Sequence, residues 1–140
     1  MSSKPPSTGA MNRLGLSPLK VGSLTVEVVD VGDSVAVVLR GDADAREAGP
    51  ELDAYLVGAV HPAVLQAGLR ELRLDVTGLE FLNSAGIKAL VNWLLAIKQQ
   101  PPAQRYVIVL DYDEGITWQG KGLKPLACVA PSFLRLHPLS

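Results

Sequence analysis

The pattern of apolar and polar positions predicts a β-hairpin near the start of the folded region. Residues Leu24 to Val29 alternate between apolar and polar, and Ser34 to Arg40 is an apolar, β-branched run. Gly32-Asp33 lies between them, and two such runs joined by a short turn are typical of a hairpin. Further apolar runs predict three more strands, at Glu71 to Val76, Tyr106 to Leu110 and Phe133 to Leu136.

Helical spacing of apolar residues marks the segments between these strands. We predict a first helix over Ala45 to about Gly68, with Pro50 in its first turn and an interruption at Pro62, which lacks an amide proton. After a loop from Gly78 to Asn83, a second helix is predicted over about Ser84 to Gln99. Its predicted sheet-facing stripe is Ile87, Leu90, Val91, Leu94 and Lys98. A weak third helix is predicted over Ile116 to about Val129.

The order of these elements predicts the fold class. Strands and helices alternate after the opening hairpin, which indicates an α/β domain with a mixed sheet, antiparallel at first and then mostly parallel, packed with three to four helices. Residues 1–20 are rich in Ser, Pro, Gly and Lys without apolar periodicity. They are therefore predicted to be a disordered leader, with the domain at residues 21–140.

Composition narrows the function classes. Hydrophobic residues make up 48% of the chain and the net charge is −1, with no Lys/Arg cluster to neutralise phosphates, so nucleic acid is not the expected partner. No stretch is apolar enough for a signal peptide or a membrane helix, so we expect no membrane insertion. The single cysteine, Cys128, suits the reducing cytoplasm and is interpreted as a small buried hydrophobe.

One stretch carries a motif that spans a strand, a turn and a helix. Residues 72–98 read LRLDVTGLEFLNSAGIKALVNWLLAIK, and Gly41-Asp42-Ala43-Asp44 follows the second strand of the hairpin. Both features resemble STAS domains, the family of bacterial anti-sigma-factor antagonists. The resemblance implies a STAS fold over about residues 22–137. It also implies a non-enzymatic regulator that binds a protein, an anti-sigma factor or a kinase-like ATPase.

The sequence departs from that family at one position in the turn. Antagonists of the partner-switching type are phosphorylated on the hydroxyl residue directly before the glycine, and here that residue is Ala85. We therefore expect no phosphorylation at the usual site and constitutive binding. Ser84 keeps a hydroxyl one position earlier, so it is the remaining candidate for phosphorylation.

The turn has a structural interpretation and a functional one. Asn83 or Ser84 can cap the second helix, while Gly86 would let a partner's backbone approach closely. Gly86, Ala89 and Trp93 form a second helical stripe, which either packs in the core or, if Trp93 is exposed, provides an interface anchor. The residues predicted to bind the partner are Asn83, Ser84, Ala85, Gly86, Ala89 and Trp93.

Other chemical signals in the chain are weaker. Gly115 to Lys121 has the glycine and lysine spacing of a phosphate-binding loop, but Gly122 stands where the Mg²⁺-binding hydroxyl should be. The acidic run Asp111 to Glu114 is interpreted as solvated loop, and His61 and His137 have no nearby ligand partner in sequence. We therefore expect no cofactor and no metal. The alternatives to a regulator are a structural STAS subunit docked on a transporter ATPase and, last, a nucleotide-binding enzyme.

Overall fold

The predicted hairpin is present in the computed structural model of the protein, which describes residues 12–139. Strands β2 (Leu24–Val31) and β3 (Ser34–Ala43) pair antiparallel. A short strand that the pattern analysis missed, β1 (Leu19–Val21), pairs antiparallel with β2. With only three residues, β1 is too short to show an alternating pattern.

The domain begins before the boundary predicted from composition. Residues 1–11 of the predicted leader lie outside the described residues. From Asn12 onward the chain follows the sheet, and the Asn12 side-chain amide donates to the carbonyl of Val28 at 3.0 Å. Leu14, Leu16 and Leu19 pack against the core. Residues 12–20 therefore belong to the domain, contrary to the prediction.

The first crossover is a continuous helical segment. Helix α1 (Ala48–Tyr55) leads into a π-helical turn at Leu56–Val60, and helix α2 (His61–Ala67) follows directly. The predicted interruption at Pro62 is therefore wrong. The His61 amide donates to the carbonyl of Leu56, which is the wide π pattern. We infer that this wider turn accommodates Pro62, whose ring would crowd an α-helical turn.

The remaining elements agree in kind with the sequence prediction and differ in their bounds. They are β4 (Glu71–Leu82), α3 (Ser84–Lys98), a 3-10 turn at Pro102–Gln104, β5 (Val107–Asp113), α4 (Thr117–Gly122), α5 (Leu126–Val129) and β6 (Leu134–Leu139). Strand β4 absorbs the loop predicted from Gly78 because it keeps pairing with β3 as far as Leu82. The weak third helix is two short helices, separated by residues 123–125.

The six strands lie in sequence order, and β3 to β6 are parallel. Because parallel crossovers are right-handed and each one here moves in the same direction, the helices cover one face of the sheet. Helix α3 packs between α1 and α5. The mixed α/β fold is thus confirmed. Within residues 12–139, no helix is both long and apolar enough to cross a lipid bilayer.

The face that α3 buries differs from the predicted stripe. Leu90 and Leu94 are buried, as expected, but Ile87 and Val91 are only partly buried and Lys98 is exposed. The buried face is rotated toward the second stripe and consists of Gly86, Ala89, Leu90, Trp93, Leu94 and Ile97. The reason is that α3 packs sideways on α1 as well as downward on the sheet, so the covered arc is wider than the sheet alone requires.

Candidate functional site

Asn83 anchors the junction between β4 and α3. It has extended backbone geometry, and its side-chain oxygen accepts from the Gly86 amide at 2.9 Å. Its backbone amide donates to the carbonyl of Ala43 at 3.3 Å, and its side-chain amide donates to the carbonyl of Asp44 at 3.4 Å. Of the two candidate caps, Asn83 is therefore the cap. It joins the start of α3 to the end of β3.

Gly86 faces inward. A Cβ at this position would overlap the side chain of Leu82, and Gly86 is buried. The prediction that Gly86 lets a partner's backbone approach is therefore wrong. The glycine is needed because helix α3 turns directly over the last residue of its own preceding strand.

Trp93 belongs to the core, so the interface-anchor interpretation is wrong. Its side chain is 1% exposed, and its indole nitrogen donates to the Tyr106 hydroxyl at 2.9 Å. The Tyr106 hydroxyl also lies 2.7 Å from Nδ1 of His61. Burial raises the pKa of Tyr106 and lowers the pKa of His61. Both groups are therefore neutral near pH 7, with Tyr106 donating to His61.

The exposed part of the junction is its first turn. Ser84 and Ala85 are both exposed, and the Ser84 hydroxyl forms no hydrogen bond with any residue among 12–139. On the side facing α1, Ala85 lies against Gly49, where an added Cβ would overlap the Ala85 side chain. Helices α1 and α3 therefore approach closely here. Sequence reasoning missed Gly49, although a glycine in a first helical turn is a usable signal of close packing.

A shallow groove runs between α1 and α3 beside this turn. Its volume is about 190 Å³, and Ala89, which is 1% exposed, lies at its base. The Asn92 side-chain amide donates to the Asp53 carboxylate at 2.9 Å across the two helices. The lining residues are Gly49, Pro50, Asp53, Ala85, Lys88, Ala89 and Asn92. We call this groove, with the exposed Ser84, the α1–α3 surface.

Phe81 is a second feature that sequence reasoning did not single out as a site residue. It lies at the end of β4 and is 42% exposed, whereas its neighbour Leu82 is buried. Its in-register neighbour on β3 is Asp42, which follows an irregularity in the strand pairing after Gly41. The Oδ1 atom of Asp42 is shielded from solvent and has no hydrogen-bond partner among residues 12–139. An aromatic ring and an unpaired carboxylate oxygen thus lie on neighbouring strands.

The phosphate-loop interpretation does not fit the observed backbone. Residues Thr117–Gly122 are helical, so the amides that would wrap a phosphate are largely committed within α4. Gln119 is fully buried, and its side chain donates to the carbonyls of Val76 and Leu79 at 2.7 and 2.9 Å. The Gln119 hydrogen bonds therefore hold α4 against the second half of β4.

Asp111, the first residue of the acidic run, forms an ion cluster with Arg73 and the second histidine, His137, on the uncovered face of the sheet. Arg73 donates twice to the Asp111 carboxylate, at 2.6 and 3.1 Å, and His137 lies 2.6 Å from the same carboxylate. Asp111 is therefore buried in an ion pair and does not lie in a solvated loop. No group of three potential metal ligands occurs among residues 12–139.

The environment of Cys128 was predicted incorrectly. The thiol is exposed because α5 is only four residues long and presents Leu126, not Cys128, to the core. A single turn of helix has room for few inward-facing residues, and the apolar neighbours of Cys128 did not reveal which side it would occupy.

Comparison with known proteins gives one informative result. No protein-family model matches the sequence, and no curated protein matches it. Among solved structures, the chain is similar to the crystal structure of an anti-sigma factor antagonist from Mycobacterium paratuberculosis. The TM-score is 0.54 at 23% sequence identity, and the match covers 84% of this chain and 90% of that chain. The STAS-like fold inferred from the motif is therefore confirmed.

Proposed function

We propose that this protein is a non-enzymatic regulator that binds another protein through the α1–α3 surface. The observation that carries the proposal is the first turn of α3, where Ser84 and Ala85 are small and exposed and Ala85 lines an open groove. A surface of small side chains on two well-packed helices lets a partner approach with little rearrangement. The shared fold with an anti-sigma factor antagonist supports this interpretation.

The same similarity suggests the class of partner. We propose that the partner is an anti-sigma factor or a kinase-like ATPase and that the two proteins bind in the cytoplasm. Because Ala85 has no hydroxyl, we propose that binding is not switched off by phosphorylation at this position. A phosphate would add a charge of about −1.5 to −2 and its own bulk, which a closely packed apolar partner surface would not accommodate.

The location of the surface is tested by adding bulk to it. Immobilised wild-type protein is compared with Ala85→Arg and with the control Ala67→Arg, which changes an exposed alanine at the end of α2. Proteins retained from the native lysate by the wild type and by Ala67→Arg, but lost with Ala85→Arg, are the expected partners. Equal retention by all three would contradict the proposed surface. Gly86→Arg is unsuitable because Gly86 is buried against Leu82.

The retained proteins also discriminate the alternative function. A transporter ATPase recovered in fixed stoichiometry would identify a structural subunit instead of a regulator. Recovery of an anti-sigma factor or a kinase-like ATPase would support the regulator.

The absence of a switch is tested with the retained kinase-like ATPase and radiolabelled ATP. The wild type is expected to take up no label, whereas Ala85→Ser is expected to become a substrate. Label on the wild type that disappears in Ser84→Ala would identify Ser84 as the phosphorylated residue. That result would overturn the proposal of constitutive binding.

A further inference from the structure

The end of β4 presents a large apolar side chain to solvent. Phe81 is one of four exposed large hydrophobic residues within residues 12–139, the others being Val31, Leu95 and Leu139. Phe81 directly precedes the junction of the α1–α3 surface, and its backbone is fixed by pairing with β3. A partly exposed aromatic ring on a paired strand, two residues before the cap Asn83, is a suitable contact for a partner side chain.

A carboxylate lies on the strand next to Phe81. Asp42 is the in-register neighbour of Phe81 on β3, and neighbouring strands lie about 5 Å apart. No described cation forms an ion pair with Asp42, and its Oδ1 is shielded without a hydrogen-bond donor. Because Oδ1 is shielded, an incoming donor reaches this carboxylate through its other oxygen, Oδ2, which forms no hydrogen bond or ion pair within residues 12–139, and a donor there would be stabilised.

The surrounding edge of the sheet is also negatively charged. Four exposed carboxylates lie at the end of β4, after β3 and in the first turn of α1, and none forms an ion pair within residues 12–139. They are Asp44, Glu47, Glu51 and Glu80. The exposed cations near this edge are Arg40, which forms an ion pair with Glu27, and Arg46 and Lys88, which form none within residues 12–139, so the unpaired carboxylates outnumber the unpaired cations. Such an edge attracts a basic surface and repels phosphate groups.

From these observations we infer that the partner is a basic protein segment, and that one of its arginines docks on Phe81 and Asp42. The guanidinium plane stacks on the phenyl ring while its N–H groups donate to the carboxylate. Arginine suits the pair better than lysine because its planar group can stack and donate together. This inference rests on the proposed function, since it specifies the partner of the same region.

The inference is tested with a random dodecapeptide library displayed on phage and selected on the immobilised full chain. The peptides that win are synthesised with a fluorescent label, and their Kd values are measured by anisotropy. We expect winners to combine arginine with apolar residues, and we expect binding to weaken as salt is raised. Winners without basic residues, or no enrichment above a surface lacking the protein, would overturn the inference.

Variants locate the contact. Phe81→Ala and Asp42→Asn are each expected to weaken binding of the winning peptides about tenfold. Leu95→Ala is the matched control, because Leu95 is 40% exposed on α3, and it is expected to change the Kd by less than about twofold. Phe81→Leu keeps an apolar side chain without the ring, so it should also weaken binding if stacking is the contact. Unchanged binding by both Phe81 variants would overturn the inference.

One further variant separates this inference from the proposed function. If basic peptides lose affinity for the Phe81 variants but not for Ala85→Arg, the arginine contact stands and the α1–α3 surface does not. If the winners are acidic or neutral and are lost with Ala85→Arg, the surface stands and the arginine contact fails.

Discussion

The two ends of helix α3 differ in what their side chains contact. At its start, Ser84 and Ala85 are exposed, and the turn is held by a single side-chain cap from Asn83. Two turns later Trp93 is 1% exposed and joins Tyr106 and His61 in a buried hydrogen-bond chain. One helix therefore has an open end with small side chains and a closed end with large ones.

This difference shows how one helix can serve both stability and binding. Burial of large rings removes much apolar area from water and holds α3 against Tyr106, just before β5, and His61, at the start of α2. The first turn contributes little to the core, so its exposed positions can change with little loss of stability. Four predictions test this division, from the largest expected effect to the smallest.

Removing the ring at the closed end is expected to have the largest effect. Trp93→Ala should lower the free energy of unfolding by about 3–5 kcal/mol, because it leaves a cavity and takes the donor from Tyr106. Denaturant unfolding followed by circular dichroism measures this change. Trp93→Phe, which keeps most of the volume, should lose clearly less. A loss below about 1 kcal/mol for Trp93→Ala would contradict the assignment of this end to the core.

Widening the contact between the helices is expected to have the next largest effect. In Gly49→Ala the added methyl group overlaps Ala85, so α1 and α3 must separate at the groove. We expect a loss of about 1–3 kcal/mol, as for overpacked sites. Gly58→Ala is the control, because nothing lies within 4 Å of the added group. The same unfolding experiment should show no loss for the control, and equal losses would contradict the close approach at Gly49.

Loss of the cap should have a moderate effect at the open end. Asn83→Ala removes the acceptor of the Gly86 amide, so we expect a loss of about 1 kcal/mol of unfolding free energy. Asn83→Asp keeps an acceptor oxygen and should recover most of it. Hydrogen exchange should localise the change to the first turn of α3. Faster exchange throughout the helix would show that the two ends are not independent.

The smallest expected effect is the pH dependence of the closed end. Burial lowers the pKa of His61 from its ordinary value of 6.5, so the folded state binds this proton less readily than the unfolded state. The contribution of His61 to stability is therefore complete above about pH 6.5 and is lost as the pH falls toward the folded-state pKa. Unfolding free energies at about pH 7.5 and about pH 5.5 should differ less in His61→Gln than in the wild type. An equal difference would exclude His61 as the cause.

Local patterns predicted most elements because their residues have regular spacing. The hairpin, α3 and the last two strands are present with shifts of a few residues at their ends. The extension of β4 to Leu82 was not predictable in this way, because it depends on pairing with Gly41 to Ala43 from a distant part of the chain. The continuity of the helical segment through Pro62 likewise depended on a π-helical turn that no spacing rule indicates.

The candidate site shows the same limit to what local sequence patterns can predict. Sequence reasoning selected Asn83 as a candidate cap because capping residues have a local signature, and it selected Ser84 and Ala85 through the resemblance to STAS domains. It named Gly86 and Trp93 as partner-binding residues as well and left open whether Trp93 packs in the core, since the two stripes of α3 are equally apolar in sequence. It did not select Gly49 or Phe81, whose roles depend on which element packs beside them.

The sequence by itself determined the mixed α/β architecture and the position of the turn before α3, because these follow from periodicity and local backbone chemistry, and its motif supplied the resemblance to STAS domains. The tertiary structure alone decided which stripe of α3 is buried, and that Gly49 and Ala85 meet. It also decided that Asp42 and Phe81 are neighbours. These outcomes depend on contacts between residues far apart in the chain, and the free energy of such contacts is set by packing that no local window of sequence contains.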